Sequence, residues 1–125
     1  MTVYNASNIG VFISYGATGW SANSDKRLKH TINDLPDSLD TVNKLRPVSF
    51  YFNKGSDKKH IGFIAQEVEE VIPEIISNGG FDKGLNDYIK GIDMISIIPY
   101  LVKSIQEQQK QIDGLISLLK SKSII

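Results

Sequence analysis

The C-terminal third of the chain carries its most regular hydrophobic pattern. Ile98, Ile105, Ile112 and Leu119 recur every seven residues, with Leu101, Gln108 and Leu115 three positions further on. This is the a/d seam of a coiled coil, sustained for just over three heptads, and Val102 and Ile116 widen it. The helix is predicted to start near Ser96, since Pro99 is tolerated only in a first turn, where amides lack helical partners. Ile at a with Leu at d favours two strands, a preference that Gln108 weakens; the alternative is one amphipathic helix packed on its own domain.

The remainder reads as short elements. "IGVFISY" (9–15) sets Ile9, Val11, Ile13 and Tyr15 on one face and Gly10, Phe12 and Ser14 on the other, predicting a half-buried strand. Leu39, Val42 and Leu45 predict a short helix after Pro36, ended by Arg46-Pro47. "VSFYF" (48–52) and "HIGFIA" (60–65) read as paired strands, with a turn over 53–57 containing Gly55. A short helix "QEVEEV" stops before Pro73, and Gly79-Gly80 marks a further turn. Phe50, Phe52, Phe63, Ile64 and Val68 are the expected core, and Gln66 and Glu67 the expected caps of the short helix. The fold class is α+β: a small mixed body (24–92) followed by a long helix (93–122).

Charge sharpens this division. Residues 1–23 contain no Lys, Arg, Asp or Glu, and all 28 formal charges follow from position 24 onward. An uncharged β segment this short cannot fold alone, so residues 1–23, with Trp20 and the glycines before it, read as the end of a β-rich neighbour. The predicted domain boundary is Asn23–Ser24, with 24–125 a second domain. The 14 basic and 14 acidic residues balance, which leaves no field to attract nucleic acid or an anionic membrane. Cysteine is absent, which removes disulfides and thiolate metal sites and fits a reducing cytosol. No apolar run approaches the roughly 18 residues of a membrane span, and the N-terminus lacks a basic n-region, so export is not expected.

Four blocks, "SDKRLKHTI" (24–32), "KLRPVSFYF" (44–52), "HIGFIAQEVEEVIPEII" (60–76) and "GIDMISIIPYLVKSIQEQQ" (91–109), resemble successive blocks of the peptidase S74 family. These are the C-terminal intramolecular chaperone domains, of the endosialidase type, of bacteriophage tailspikes, tail fibres and neck appendages. The resemblance implies a homotrimer, with the long helix in a trimeric coiled coil, that helps its N-terminal passenger to fold. It then cuts itself off before the serine of the first block, at Asn23–Ser24. It implies Ser24 as nucleophile and Lys29 as base, with Asp25, Arg27 and His60 as possible supporting residues, and neither metal nor cofactor. Assembly is expected in the host bacterial cytoplasm, with the passenger retained in the virion. Two alternatives are a trimerisation clamp that does not cut and a self-cleaving module of a membrane-bound transcription factor; the uncharged, β-like residues 1–23 argue against the second.

The chemistry constrains the site. A serine hydroxyl needs a base to take its proton, and a lysine base must be neutral, whereas a free lysine is only about 0.04% neutral at pH 7. Desolvation or neighbouring cations such as Lys26, Arg27 and His30 would favour the neutral amine. Backbone amides or Arg27 could bind the oxyanion. Residues five apart lie roughly 16 Å apart on a strand and about 140° around a helix. Either the segment turns sharply or the lysine comes from a neighbouring subunit, and both make the site depend on higher-order structure. On residue type alone Ser24 is a loop serine or helix cap and Lys29 a solvated charge. For His60 a structural role is expected, and Lys58-Lys59-His60 reads as a solvated turn before a phosphate site.

Overall fold

The computed structural model describes residues 2–4, 10–55 and 57–123. They form two compact units that divide between Asp34 and Leu35. The packing boundary is therefore not the charge boundary: residues 24–34 pack with the uncharged segment before them.

The N-terminal unit is built on three antiparallel strands in sequence order, β1 (Thr2–Tyr4), β2 (Gly10–Phe12) and β3 (Ser21–Ala22). Strand β2 is central, pairing Val11 with Val3 on one side and with Ala22 on the other. The strand expected over 9–15 shrinks to 10–12, and Ile9 lies outside the described residues. Ala17 N donates to Ser14 O at 3.0 Å and Gly16 adopts φ 76°, so a tight turn ends the strand. A glycine third in such a turn supplies the positive φ at no steric cost. Tyr15 is consequently exposed.

The C-terminal unit opens with α1 (Leu39–Asn43), which stops two residues before Leu45. The hairpin β4 (Val48–Phe50) and β5 (His60–Gly62) follows, with Phe50 opposite His60; Ser56 of the connecting turn lies outside the described residues. Helix α2 (Ala65–Val71) runs into a 3₁₀ turn at Pro73–Ile75. A second hairpin, β6 (Ile76–Asp82) with β7 (Asp87–Ile92), leads through another 3₁₀ turn (Met94–Ser96) to α3 (Ile97–Ser121). Gly79-Gly80 does not reverse the chain as expected. It forms a bulge inside this hairpin, with Gly80 at φ 101°, and the reversal comes at residues 83–86. A side chain at Gly79 would press on Ile89, which leaves glycine as the residue that fits the bulge.

Val68, Ile72, Ile75 and Ile97 form the core, with Leu45, Phe63, Val71, Ile76, Ile92 and Tyr100 packed around them. Of the expected core, Val68 is buried and Phe63 and Phe50 are half-buried, whereas Phe52 and Ile64 are exposed. Phe50, Phe52, Ile61, Ile64 and Met94 instead line an open groove of about 550 Å³.

Helix α3 begins within one residue of its predicted start and has two faces. Ile97 and Ser104 are buried and Glu107 half-buried, on the side of the helix that packs α1. Glu107 Oε2 accepts from Ser38 N (2.6 Å) and Leu39 N (2.8 Å), which caps α1 from 68 residues away. Along the heptad seam Ile98, Leu101, Ile105, Gln108, Ile112 and Leu115 are exposed on the single chain, and Leu119 is half-buried.

Candidate active site

The site is assembled from consecutive residues at the end of β3. Strand pairing continues one amide past Ala22, because Asn23 N donates to Gly10 O at 2.9 Å. Ser24 follows, and the chain then folds into a 3₁₀ turn over Lys26–Leu28. Asp25 caps the turn. Its Oδ1 accepts from the Arg27 backbone N–H at 2.8 Å and from Arg27 Nε at 3.1 Å, while Oδ2 accepts from Nη2 at 2.8 Å. Aspartate satisfies the first free amides of such a turn better than most residues can. Leu28 N then donates to Asp25 O and Lys29 N to Lys26 O, closing it.

The turn settles the spacing problem within one chain. A 3₁₀ path rises only about 2 Å per residue, against about 3.3 Å for a strand, and the remaining gap is within reach of a lysine side chain. Lys29 Nζ donates to Ser24 Oγ at 2.5 Å. Both residues are exposed, and Asn23, Ser24, Asp25, Arg27 and Leu28 line an open cleft of about 460 Å³ beside them.

The supporting residues separate by role. Arg27 holds the Asp25 carboxyl below the usual aspartate range, first through its guanidinium and then through its backbone N–H; Asp25 in turn raises Arg27. Arg27 thus braces the turn, with Nε and Nη2 committed to the carboxylate rather than aimed at an oxyanion. His30 Nδ1 lies 2.8 Å from Thr31 Oγ1. Thr31 itself sits at φ 55°, a conformation that costs a β-branched residue about 1–3 kcal/mol, and Asn33 Nδ2 donates to its carbonyl at 3.3 Å.

His60 belongs to the C-terminal unit. Its ring stacks on Phe50 at 5.7 Å and meets Phe52 edge-on at 5.0 Å, so its neighbours are aromatic. Glu67 does not cap α2, whose N-cap, Ile64, has no side-chain acceptor. The carboxylate instead forms a two-pronged pair with Arg46 (2.7 and 2.8 Å), which lowers the Glu67 pKa chiefly through the hydrogen bonds. Nothing in the sequence singled out that pair, whose members stand 21 positions apart. Among the described residues no group of three His, Cys, Asp or Glu could hold a metal ion, and no helix is long and apolar enough to cross a membrane.

Residues 24–77 match the peptidase S74 family model, described as the chaperone of endosialidase. The match begins at Ser24 and covers the first three of the four sequence blocks, ending before α3. No curated protein matches the chain.

Proposed function

From a segment of the endosialidase-chaperone family that starts at Ser24, we propose that this chain is an intramolecular chaperone which releases itself by cutting the Asn23–Ser24 bond. The passenger is a trimeric bacteriophage tailspike, tail fibre or neck appendage, assembled in the host cytoplasm. The observation that carries the reading is the contact of Lys29 Nζ with Ser24 Oγ, at the point where the charge pattern breaks.

Lys29, when neutral, takes the hydroxyl proton as Ser24 Oγ attacks the Asn23 carbonyl carbon. The new C–O bond forms as the carbonyl electrons move onto oxygen. Collapse of this adduct breaks the C–N bond, and the ammonium of Lys29 returns its proton to the departing Ser24 nitrogen. The resulting ester links Asn23 to Ser24 Oγ. Water then attacks it, leaving Asn23 as a carboxylate and restoring the serine hydroxyl. Assembly completes the site in this reading, so cutting follows association rather than preceding it.

Association is assigned to the seam of α3. Three long chains must meet in register before a trimeric β-fold can wind, and a clamp at one end raises their effective concentration. Removing the clamp afterwards leaves a product whose persistence is kinetic. Intact-mass and N-terminal sequencing of the purified protein test the reading. The expected fragment is 24–125, beginning Ser-Asp-Lys-Arg, and it is absent from Ser24→Ala. A fragment beginning elsewhere overturns the assignment.

A further inference from the structure

Cutting a bond requires the scissile carbonyl to be held against its nucleophile, and pairing the preceding main chain as a strand on a sheet is one way to hold it. Here the segment before the cut is held in that way by its own chain. Strand β3 lies on β2 with Ala22 opposite Val11 and Ser21 opposite Phe12, and the next amide, Asn23 N–H, reaches Gly10 O at 2.9 Å. The carbonyl to be attacked is the next group along. Beyond it, Ser24 Oγ is bound by Lys29 at 2.5 Å and the backbone enters the Asp25-capped turn. Only a few torsions separate these two anchors, and both lie in one compact unit that spans the charge boundary.

We infer that β2, a passenger strand, is the substrate-holding strand of the cleavage site, with the Gly10 carbonyl as a positioning group. The inference rests on the self-cutting reading and extends it. The chaperone segment supplies nucleophile and base, and the passenger supplies the strand that presents the bond. A misplacement of about 1 Å at a reacting centre can cost about 100-fold in rate. An unpaired β3 therefore leaves the dyad intact but its target unaligned. After cutting, β3 stays paired with β2, so the passenger's sheet loses nothing when the chaperone leaves.

Two proline variants of the full chain test this. Val11→Pro breaks the central strand, where proline is not accommodated, and alters neither the dyad nor the turn. Asn23→Pro leaves β2 whole and deletes the N–H that Gly10 accepts. Each is expected to cut at least about tenfold more slowly at every pH, with the rise of rate with pH unchanged in shape because Lys29 still serves as base. Sedimentation is expected to match the parent, and Thr18→Pro, in the loop outside the strand pairing, to cut at the parent rate. Cutting at the parent rate by either Val11→Pro or Asn23→Pro overturns the inference while leaving self-cleavage standing. A parent protein that never cuts overturns both.

Discussion

The turn at Ser24 and the helix α3 are organised in opposite ways. The hydrogen bonds described for the turn join neighbours: Asp25 with Arg27, Leu28 with Asp25, Lys29 with Ser24, each within five positions. Helix α3 has one face fixed by distant partners, as in the reach of Glu107 to Ser38, and the other left apolar and exposed. The turn is held by short-range hydrogen bonds, whereas the helix keeps an exposed apolar seam. The contact between Ser24 and Lys29 is therefore present on a single chain, without any help from α3.

The sharpest break in that comparison is chemical. Ser24→Ala is expected to abolish cutting with no loss of association, because an exposed hydroxyl contributes little to stability. Lys29→Ala is expected to block it as well, and Lys26→Ala to slow it modestly. Mass spectrometry of each variant reads the outcome; loss with Lys26→Ala and none with Lys29→Ala would transfer the base role.

Next in size is the helix. Ile105 is 65% exposed, so Ile105→Asp leaves the single chain's fold intact. In the proposed trimer it would set three carboxylates together in an apolar layer, at a cost of several kcal/mol, comparable with a small domain's stability. The variant is expected to sediment as a monomer and to cut at least about tenfold more slowly, equivalent to roughly 1.4 kcal/mol. A monomer that cuts at the parent rate would separate the turn from assembly altogether.

A smaller effect is expected at Glu107. Glu107→Ala removes the acceptor for two α1 amides, and loss of a cap costs about 1 kcal/mol. Thermal melting is expected to fall by several degrees while cutting persists. An unchanged melting temperature would show that α1 needs no cap from α3.

The smallest concerns Asp25. Its folded pKa lies below the usual aspartate range, so the stabilisation of the turn is present at neutral pH and is lost as pH falls through that lowered value. An NMR titration is expected to place the Asp25 carboxyl below a free aspartate, and Arg27→Ala to return it part of the way to the ordinary range, because the residue-27 backbone N–H still donates to it. Without that return, the brace would not be Arg27.

The elements set by neighbouring residues could be read from the sequence. The seven-residue repeat marked α3, the alternation in "VSFYF" and "HIGFIA" marked the β4–β5 hairpin, and the absence of charge before Ser24 marked the site at which the family match begins. Periodicity and turn chemistry are properties of a short window, and so they survive without knowledge of packing. The shortening of β2 was missed because the Gly16 turn overrode an alternation that still continues through Tyr15. The pairings of Glu67 with Arg46 and of Glu107 with Ser38 and Leu39 were illegible, because they join residues 21 to 69 positions apart. Spacing alone left Lys29 either on the same chain or on a neighbour. Only the folded turn shows the two in contact within one chain, where hydrogen bonds to one carboxylate accompany a bend that lets the amine meet the hydroxyl.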